Sequence, residues 1–336
     1  MLRRGFWDHL FPREVSVRAL HWSTTYGLGL FNISLIFLLA LTGAVLAVYY
    51  VPAPHLAYAS VTDIDHVVPY GRLLRSVHRW GAHALVLFTL LHWVRVWAAA
   101  AYRGRGRNWI YGTALGICVA GLSFTGYLLV WDQRGYWAVR IVTEILASIP
   151  GLGPMLRDAI AGGPFLGAAS LTRFYAGHVL WLPVVTTLLV ALHLFRVRSD
   201  GAARLIFAPE PVVPAVPHLT RRFAAVLLVT VAVLVLVALV WPSPLDAPAD
   251  LVRPDNPAKA PWFFLALQEA VSYSALWGAC IGPAFVLAVV AAKIVRVQQV
   301  QERGLQGCVL PVVIDASDMI TTCTDHQTIE KMILAT

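Results

Sequence analysis

The chain has 336 residues, of which 58% are hydrophobic and 13% are charged, and its mean hydropathy is +0.69. A soluble globular domain carries about 25% charged residues, so this composition excludes that class and indicates an integral membrane protein. The net charge of +8 comes from basic residues that flank the apolar segments, which indicates membrane topology rather than a nucleic-acid surface.

The apolar segments predict an all-α fold with six membrane spans. Residues 1–20 mix arginine with phenylalanine, tryptophan and leucine, so we expect an amphipathic helix lying at the membrane interface. The segments long enough to cross a bilayer are 30–52, 80–101, 111–131, 174–196, 223–241 and 268–293. Residues 297–336 contain no such segment, and we expect them to form a cytoplasmic tail.

Arginine clusters orient these spans by the positive-inside rule. The N-terminal segment, the connections after the second and fourth spans, and the end of the sixth span are all basic. Six spans place all four clusters on one side, which we therefore expect to be cytoplasmic together with both termini. The opposite, outer side receives 53–79, 132–173 and 242–267, and the amphipathic pattern of 132–173 predicts short surface helices there.

Four histidines lie in two of the apolar spans, where this residue is costly. His78 and His92 are 14 residues apart in the second span, and His178 and His193 are 15 apart in the fourth. On a helix, these spacings keep each pair of side chains within about 40° and 60° of one direction, at axial separations of about 21–22 Å. Because both spans run from outside to inside, we pair His78 with His178 (the outer pair) and His92 with His193 (the inner pair).

Two facing pairs of imidazoles at these depths are the geometry of two haem b groups stacked across a membrane. None of the four cysteines lies in a CxxCH motif, so we expect no haem attached covalently by that motif. His83 lies about 140° around the helix from His78, and we interpret it as a structural residue. A transporter with polar histidines inside the membrane is an alternative interpretation, and it predicts no haem.

Four glycines repeat the histidine spacing on two further spans. Gly29 and Gly43 in the first span are 14 residues apart, as are Gly112 and Gly126 in the third. A small residue at each histidine depth would leave room for a flat cofactor, although small residues also allow ordinary close helix packing. Arginine suits carboxylates in partly dry sites, and the candidate partners for haem propionates are Arg75, Arg79, Arg95 and Arg198.

Three stretches of sequence carry a resemblance to a known family. RSVHRWGAHALVLFTLLHWVRVW, TGYLLVWDQRGYWAVRIV and SLTRFYAGHVLWLPVVTTLLVALHLFRVR resemble cytochrome b of the quinol–cytochrome c reductases. The 15-residue histidine spacing is similar to the cytochrome b6 branch. The resemblance covers about 15–295. It implies a b6-like diheme four-helix bundle over 21–205 and a shortened two-helix region like subunit IV over 206–296.

The resemblance implies a diheme subunit that moves electrons between quinone sites at the two membrane faces. It implies a low-potential outer haem and a high-potential inner haem, a Rieske iron–sulfur protein and a c-type cytochrome as partners, and a multi-subunit complex whose dimerisation stays open. The expected location is the bacterial cytoplasmic membrane. Candidate quinone-site residues are Asp132, Tyr136, Trp137, Trp262 and Phe263 on the outer side, and Arg198 and Asp200 on the inner side.

Three positions depart from the family pattern. Gly27 stands where cytochrome b6 has the cysteine that holds an extra haem, and Val130 replaces a proline. In the motif of the quinol-oxidising site, Pro261 replaces the glutamate that would accept a proton, and proline offers no such group. Asp132, Glu144 and Glu269 are candidate substitutes. The missing glutamate favours an alternative function, a diheme cytochrome b that links quinone to a partner oxidoreductase without Rieske-dependent bifurcation.

Overall fold

The computed structural model is mainly helical and describes residues 12–17, 20–22, 26–99, 101–102, 104–200, 211–254 and 259–275. Its helices are α1 (Leu28–Tyr49), α2 (Ala57–His66), α3 (Gly71–Ala98), α4 (Gly106–Leu129), α5 (Gln133–Ala147), α6 (Gly153–Ala161), α7 (Ala168–Ala176), α8 (Leu182–Ser199), α9 (Ala215–Val240) and α10 (Leu265–Tyr273). A π-helical turn, Gly177–Trp181, joins α7 to α8, and a 3₁₀ turn, Trp262–Phe264, precedes α10.

Five helical segments among the described residues are long and apolar enough to cross a membrane. They are α1, α3, α4, the continuous helix from Ala168 to Ser199, and α9. These are the first five expected spans. Each helix begins two to nine residues before the expected start, and four of the five end one to three residues before the expected end. The expectation of an all-α membrane protein is therefore confirmed. The sixth span, 268–293, begins in α10 but lies mostly outside the described residues, as does the tail 297–336.

The spans expose large apolar side chains on their outward surfaces. Val48, Ile117, Leu188 and Leu228 are each more than 60% exposed. Exposing such a side chain to water costs about 1.5–3 kcal/mol relative to burial, whereas hydrocarbon chains of lipid impose no such cost. The outward surface therefore suits a bilayer.

Four of the spans form a bundle that positions the histidines. Helix α1 packs against α3, α4 packs against α8, and α3 also contacts α4. Helix α9 packs against α1 and α3 from outside this group of four. Leu35 on α1, Val77 and Leu85 on α3, and Leu234 on α9 form one apolar cluster of this packing.

Two local elements differ from the sequence predictions. The prediction of a helix over 1–20 is wrong at Glu14–Ser16, which form a strand, β1. This strand pairs antiparallel with β2 (Val212–Pro214), with Val15 opposite Val213. Both partners are rich in valine, which favours extended backbone, and residues 1–11 lie outside the described part of the chain. On the outer side, α5 and α6 are the short helices expected within 132–173, whereas α2 was not predicted.

The segment after α9 crosses the end of the bundle that carries the outer pair. Trp80 Nε1 donates to the Trp241 carbonyl (2.7 Å), and Arg75 donates to the Ser243 carbonyl (2.8 Å) and hydroxyl (3.0 Å). Arg75 also forms a two-pronged ion pair with Asp65 of α2, with distances of 2.6 and 2.5 Å. Both side chains are buried, so this ion pair joins α2, α3 and the segment after α9.

Asp65→Ala is expected to destabilise the fold strongly. The substitution leaves the buried Arg75 guanidinium without its counter-charge, and breaking a buried pair in this way costs about 3–5 kcal/mol. The measurement is thermal unfolding of the purified protein in detergent. Glu144→Ala is the matched control, because it breaks the more exposed Arg140–Glu144 pair (3.2 Å), whose contribution is expected to be below about 1 kcal/mol. Equal unfolding temperatures for the two variants would contradict this prediction.

Candidate functional site

The histidines of the outer pair face each other across the bundle. The ring centres of His78 and His178 are 6.3 Å apart, and the planes cross at 70°. The inner pair has nearly the same arrangement, because the ring centres of His92 and His193 are 6.4 Å apart with planes at 80°. The second and fourth expected spans therefore present two similar imidazole pairs at two depths.

Threonine hydroxyls fix the tautomer of both outer histidines. Thr42 Oγ1 donates to the Leu38 carbonyl (2.9 Å), so its oxygen accepts from His78 Nδ1–H (2.9 Å). Thr125 repeats this arrangement, donating to the Gly121 carbonyl (2.8 Å) and accepting from His178 Nδ1–H (3.1 Å). With the proton held on Nδ1, the Nε2 lone pair of each ring is left for a metal ion.

The inner histidines lack the threonine hydrogen bonds that hold the outer ones, among the residues that the structure describes. Nδ1 of His92 and Nδ1 of His193 are buried and have no hydrogen-bond partner among the residues that the structure describes. The Asn108 backbone lies near the His193 ring, but outside hydrogen-bonding geometry. The residues that precede Gly29 and Gly112 are Leu28 and Tyr111, whereas threonine precedes each glycine of the outer pair. The two imidazole pairs thus share a spacing but differ in how their rings are held.

Each of the four glycines lies beside one histidine. An added Cβ would lie 3.1 Å from His78 Cε1 at Gly43, 2.8 Å from His178 Cε1 at Gly126, 3.5 Å from His193 Cε1 at Gly112 and 3.9 Å from His92 Cε1 at Gly29. The glycines therefore allow helices α1 and α4 to approach the imidazoles themselves. This close approach is tight at the outer pair and looser at the inner pair.

A π-helical turn accommodates the longer histidine spacing of the fourth span. The Leu182 N–H donates to the Gly177 carbonyl, five residues earlier, and His178 lies within this turn. Pro183 has no N–H to donate four residues back, which is a common origin of such a local change in helix pitch. The π-helical turn contains one more residue than an α-helical turn. Two histidines 15 residues apart therefore point the same way, as two histidines 14 residues apart do in a regular α-helix.

The spacing within each pair fits a six-coordinate metal ion held by two imidazoles. A ligating nitrogen lies about 2.0–2.1 Å from a bound metal and roughly 1.1 Å from its own ring centre, so two opposed rings have centres about 6.3 Å apart. The observed separations are 6.3 and 6.4 Å. Together with the free Nε2 atoms of the outer pair and the adjacent glycines, these distances fit bis-histidine haem ligation.

The predicted propionate partners occupy different settings. Arg75 is engaged by Asp65 and Ser243. Arg79 lies with its guanidinium 5.8 Å from the Tyr127 ring centre, and its buried Nε has no partner among the described residues. Arg95 lies 5.0 Å from the Tyr26 ring centre. The assignment of Arg75, Arg79, Arg95 and Arg198 to haem propionates stays a prediction.

A cavity of about 670 Å³ lies beside the outer pair. Its volume is within the range of small-molecule sites. Helices α3, α4 and α5, the segment after α9 and the turn before α10 all contribute to its walls. The lining is largely aromatic and aliphatic, and it includes Phe124, Tyr127, Trp137, Ile141, Pro261, Trp262 and Phe264.

The five predicted outer-site residues divide between this cavity and the apolar packing behind it. Trp137 and Trp262 line the cavity. Tyr136 is buried in a neighbouring apolar cluster with Trp131 and Val139. Phe263 packs against the His83 ring, with ring centres 5.6 Å apart, rather than forming part of the wall.

Asp132, the fifth of these residues, caps helix α5. Its Oδ1 accepts a hydrogen bond from the Gly135 N–H (2.8 Å), which stabilises the first turn of the helix. Burial raises the pKa of the Asp132 carboxyl, while the Gly135 hydrogen bond opposes this rise. The carboxylate is buried and does not line the cavity, and its role in the outer quinone site stays a prediction.

The predicted inner-site residues lie at the end of α8. Asp200 follows the helix, and its carboxylate lies 3.6 Å from the Arg196 guanidinium. Arg198 is partly buried and lies in the last turn of α8. The inner quinone site stays a prediction.

Sequence reasoning missed three polar residues that the structure places in the site. Thr42 and Thr125 each precede a glycine of the repeated pattern, and this shared Thr-Gly dipeptide was a readable signal. His83 was interpreted as structural, yet it lines the outer cavity and accepts a hydrogen bond from Trp262 Nε1 (3.0 Å). No pattern along α3 indicated that contact, because Trp262 lies 179 residues further along the chain.

Known proteins share this sequence and this fold. The family described as Cytochrome b/b6/petB matches residues 15–201. Cytochrome b6 of Stigeoclonium helveticum is 38% identical over 182 residues, which are 54% of this chain and 85% of that protein. Cytochrome b6 of Chlamydomonas reinhardtii is 40% identical over 161 residues, 48% of this chain and 75% of that protein.

A solved structure extends the comparison beyond the matched sequence. A chain of a hyperthermophilic respiratory Complex III superposes with a TM-score of 0.68 and 26% identity, covering 82% of this chain and 79% of that chain. The family match ends at residue 201, just after the fourth span, so the subunit IV-like assignment of 206–296 stays a prediction.

The fold and the paired histidines define a multi-pass membrane protein of the haem-binding, electron-transporting class. The chain belongs to the cytochrome b/b6 family. Its general role is that of a redox subunit in a multi-subunit membrane complex, and this membership replaces the transporter interpretation.

Proposed function

We propose that this chain binds two haem b groups, one at the outer pair and one at the inner pair, without covalent attachment. The observation that carries the proposal is the matched separation of the ring centres, 6.3 and 6.4 Å, at two depths of one bundle. A haem iron held between two imidazoles gains and loses one electron. The four glycines support this assignment, because each lies beside one of the four ligands.

The two haem sites would carry electrons between the membrane faces. Histidines 14 residues apart on α3 are separated by about 21 Å along the axis, within a hydrocarbon layer about 30 Å thick. The b6-like bundle over 21–205 would contain both haems, and the 206–296 region would complete the outer quinone site. Trp137 and Trp262 line the outer cavity, and Arg198 and Asp200 are the candidates for an inner site.

The complex would be of the quinol:cytochrome c reductase type, with a Rieske iron–sulfur protein and a c-type cytochrome as partners. The structural similarity to a Complex III chain supports this assignment. Arginine clusters on alternate connections support a location in the bacterial cytoplasmic membrane with both termini inside.

A second candidate function keeps the haems but lacks Rieske-dependent bifurcation. Pro261 lines the outer cavity at the position where the family motif has a proton-accepting glutamate, and this observation favours a different partner oxidoreductase. The discriminating experiment purifies the native complex and asks whether it contains a Rieske protein and whether outer-site inhibitors block haem reduction. Absence of both would exclude the bc-type assignment.

Haem content tests the central proposal directly. The protein purified from its native membrane is expected to contain two haem b per chain by pyridine haemochrome analysis, all extractable by acidified acetone. Its reduced-minus-oxidised spectrum is expected to show b-type bands. A preparation with one haem per chain, or with haem that resists extraction, would contradict the proposal.

Thr42→Val and Thr125→Val are each expected to raise the midpoint potential of the outer haem. A hydrogen bond from Nδ1–H to the threonine oxygen increases the basicity of the ligating nitrogen and so favours the oxidised iron. Loss of one such bond, at about 1 kcal/mol, corresponds to roughly 40 mV for a one-electron couple. Redox titration of both haems is the measurement.

The inner haem is the internal control for these variants, because the described residues give the inner pair no threonine partner. Its potential is expected to stay unchanged. A shift of equal size at both haems would contradict the specific role of the two threonines. The same hydrogen bonds also support a lower potential at the outer haem than at the inner one.

A further inference from the structure

His83 is placed at the outer cavity by contacts with three aromatic side chains. Its ring centre lies 5.5 Å from that of Trp80 and 5.6 Å from that of Phe263. Trp262 Nε1 donates a hydrogen bond to His83 Nδ1 at 3.0 Å. The ring is partly buried, and it forms part of the cavity wall together with Tyr127. Aromatic packing and one hydrogen bond therefore fix the orientation of this imidazole.

The hydrogen bond from Trp262 determines which nitrogen of His83 carries the proton. An indole N–H can only donate, so Nδ1 of His83 must be the acceptor. In a neutral imidazole the proton then lies on Nε2, which becomes a donor. Among the residues that the structure describes, Nε2 of His83 has no hydrogen-bond partner. The cavity wall therefore contains an oriented N–H group.

Some of the other polar groups in the wall are engaged by neighbouring residues, and the cations Arg79 and Lys259 also line the cavity. Arg134 is paired with Asp246 (3.0 Å), and the Gln133 carboxamide accepts from the Asp250 N–H and donates to the Arg253 carbonyl. The remaining wall is mostly aromatic and aliphatic. A flat, apolar ligand whose ring carries a hydrogen-bond acceptor matches this combination, and a quinone has that chemistry.

We propose that His83 Nε2–H donates a hydrogen bond to a carbonyl oxygen of a quinone bound in the outer cavity, and that Trp262 acts as a positioning residue by fixing the His83 tautomer. This inference rests on the proposed function, which assigns quinone to the cavity. A quinone carbonyl only accepts, whereas a quinol hydroxyl must also donate. The Nε2–H group therefore favours the oxidised form of the ligand over the reduced form.

The test measures binding of a short-chain benzoquinone with ¹³C-labelled carbonyls to the haem-loaded full chain in detergent. In the wild type, the infrared stretch of one carbonyl is expected to move to lower frequency on binding. His83→Leu is expected to weaken binding about tenfold, as for loss of one buried hydrogen bond, and to return that band to the position of the free quinone. Haem content confirms that each variant is folded.

Two further variants separate the hydrogen bond from the shape of the side chain. His83→Gln is expected to bind within about threefold of the wild type with the band still shifted, because its amide can accept from Trp262 and donate to the ligand. Trp262→Phe is expected to broaden the shifted band, since the His83 tautomer is no longer fixed. His66→Leu, which removes an exposed histidine of α2, is the control and should change neither quantity.

The outcomes are distinguishable. If His83→Leu binds within twofold of the wild type and the wild-type carbonyl band is unshifted, His83 is only a packing partner of Trp262 and the inference is overturned. If the wild type itself binds no quinone, both the inference and the quinone part of the proposed function fail. The haem part of the proposed function depends on neither result.

Discussion

His92→Ala is expected to reduce the haem content from two groups per chain to one. The substitution removes one axial nitrogen of the inner pair and leaves His193 without its partner ring, 6.4 Å away. The outer pair has its own ligands and its own threonine hydrogen bonds, so the outer haem should remain. The measurement combines pyridine haemochrome analysis with a redox titration, in which the higher-potential step should disappear.

A histidine outside the two pairs provides the control for this variant. His66→Ala removes an exposed imidazole on α2 and should leave both redox steps intact. Retention of the outer haem in His92→Ala also shows that the bundle has folded. Loss of the lower-potential step alone would contradict the pairing of His92 with His193.

The membrane spans and the histidine pairing were predictable because both follow from one-dimensional periodicity. An apolar segment of sufficient length predicts a span in any sequence context, and a spacing near 14 predicts a common helix face. Alternation of basic connections then set the direction of each span. These inferences needed no knowledge of contacts between distant parts of the chain.

The partners of polar side chains were not predictable from the sequence, because they depend on contacts between elements. Arg75 was assigned to a haem propionate from its position near His78, but Asp65 on α2 engages it. Helix α2 is short and only weakly apolar, so no hydropathy pattern marked it as the source of a counter-charge. The ion pair between Asp65 and Arg75, ten residues later, can be recognised only when the turn between α2 and α3 is known.

The contacts of Asp132 and His83 were not predictable for the same reason. The Asp132 carboxylate could accept a proton, and this suggested a role in the quinone site. Asp132 also precedes helix α5, and its hydrogen bond with the Gly135 N–H caps that helix. His83 points away from the haem ligands along its own helix, which suggested a structural role. Because the His83 side chain points away from the haem ligands, it reaches the outer cavity, where it lies beside Trp262.

The glycines beside the histidines make unequal demands, and this inequality gives the sharpest test of the haem sites. An added Cβ at Gly126 would lie 2.8 Å from His178 Cε1, whereas one at Gly29 would lie 3.9 Å from His92 Cε1. The first distance forces the imidazole to move, and the second is an ordinary van der Waals contact. A single added methyl group should therefore disturb the outer haem and spare the inner one.

Gly126→Ala is expected to reduce or lose the outer haem, and Gly126→Leu to lose it completely, while Gly29→Ala retains two haems per chain. Alanine has a higher helix propensity than glycine by about 0.5–1 kcal/mol, so both alanine variants should strengthen their helices. A fall in haem content in Gly126→Ala would then report the displaced His178 ring rather than a weakened helix.

Haem stoichiometry and the low-spin electron paramagnetic resonance signal of each haem are the measurements for these variants. The signal is sensitive to the orientation of the axial rings, so a partial displacement of His178 should appear even where the haem is retained. Normal haem content and unchanged signals in Gly126→Leu would show that this glycine serves ordinary helix packing. In that case the repeated glycine spacing would no longer support the haem assignment, which would rest on the histidine pairs and the threonine hydrogen bonds.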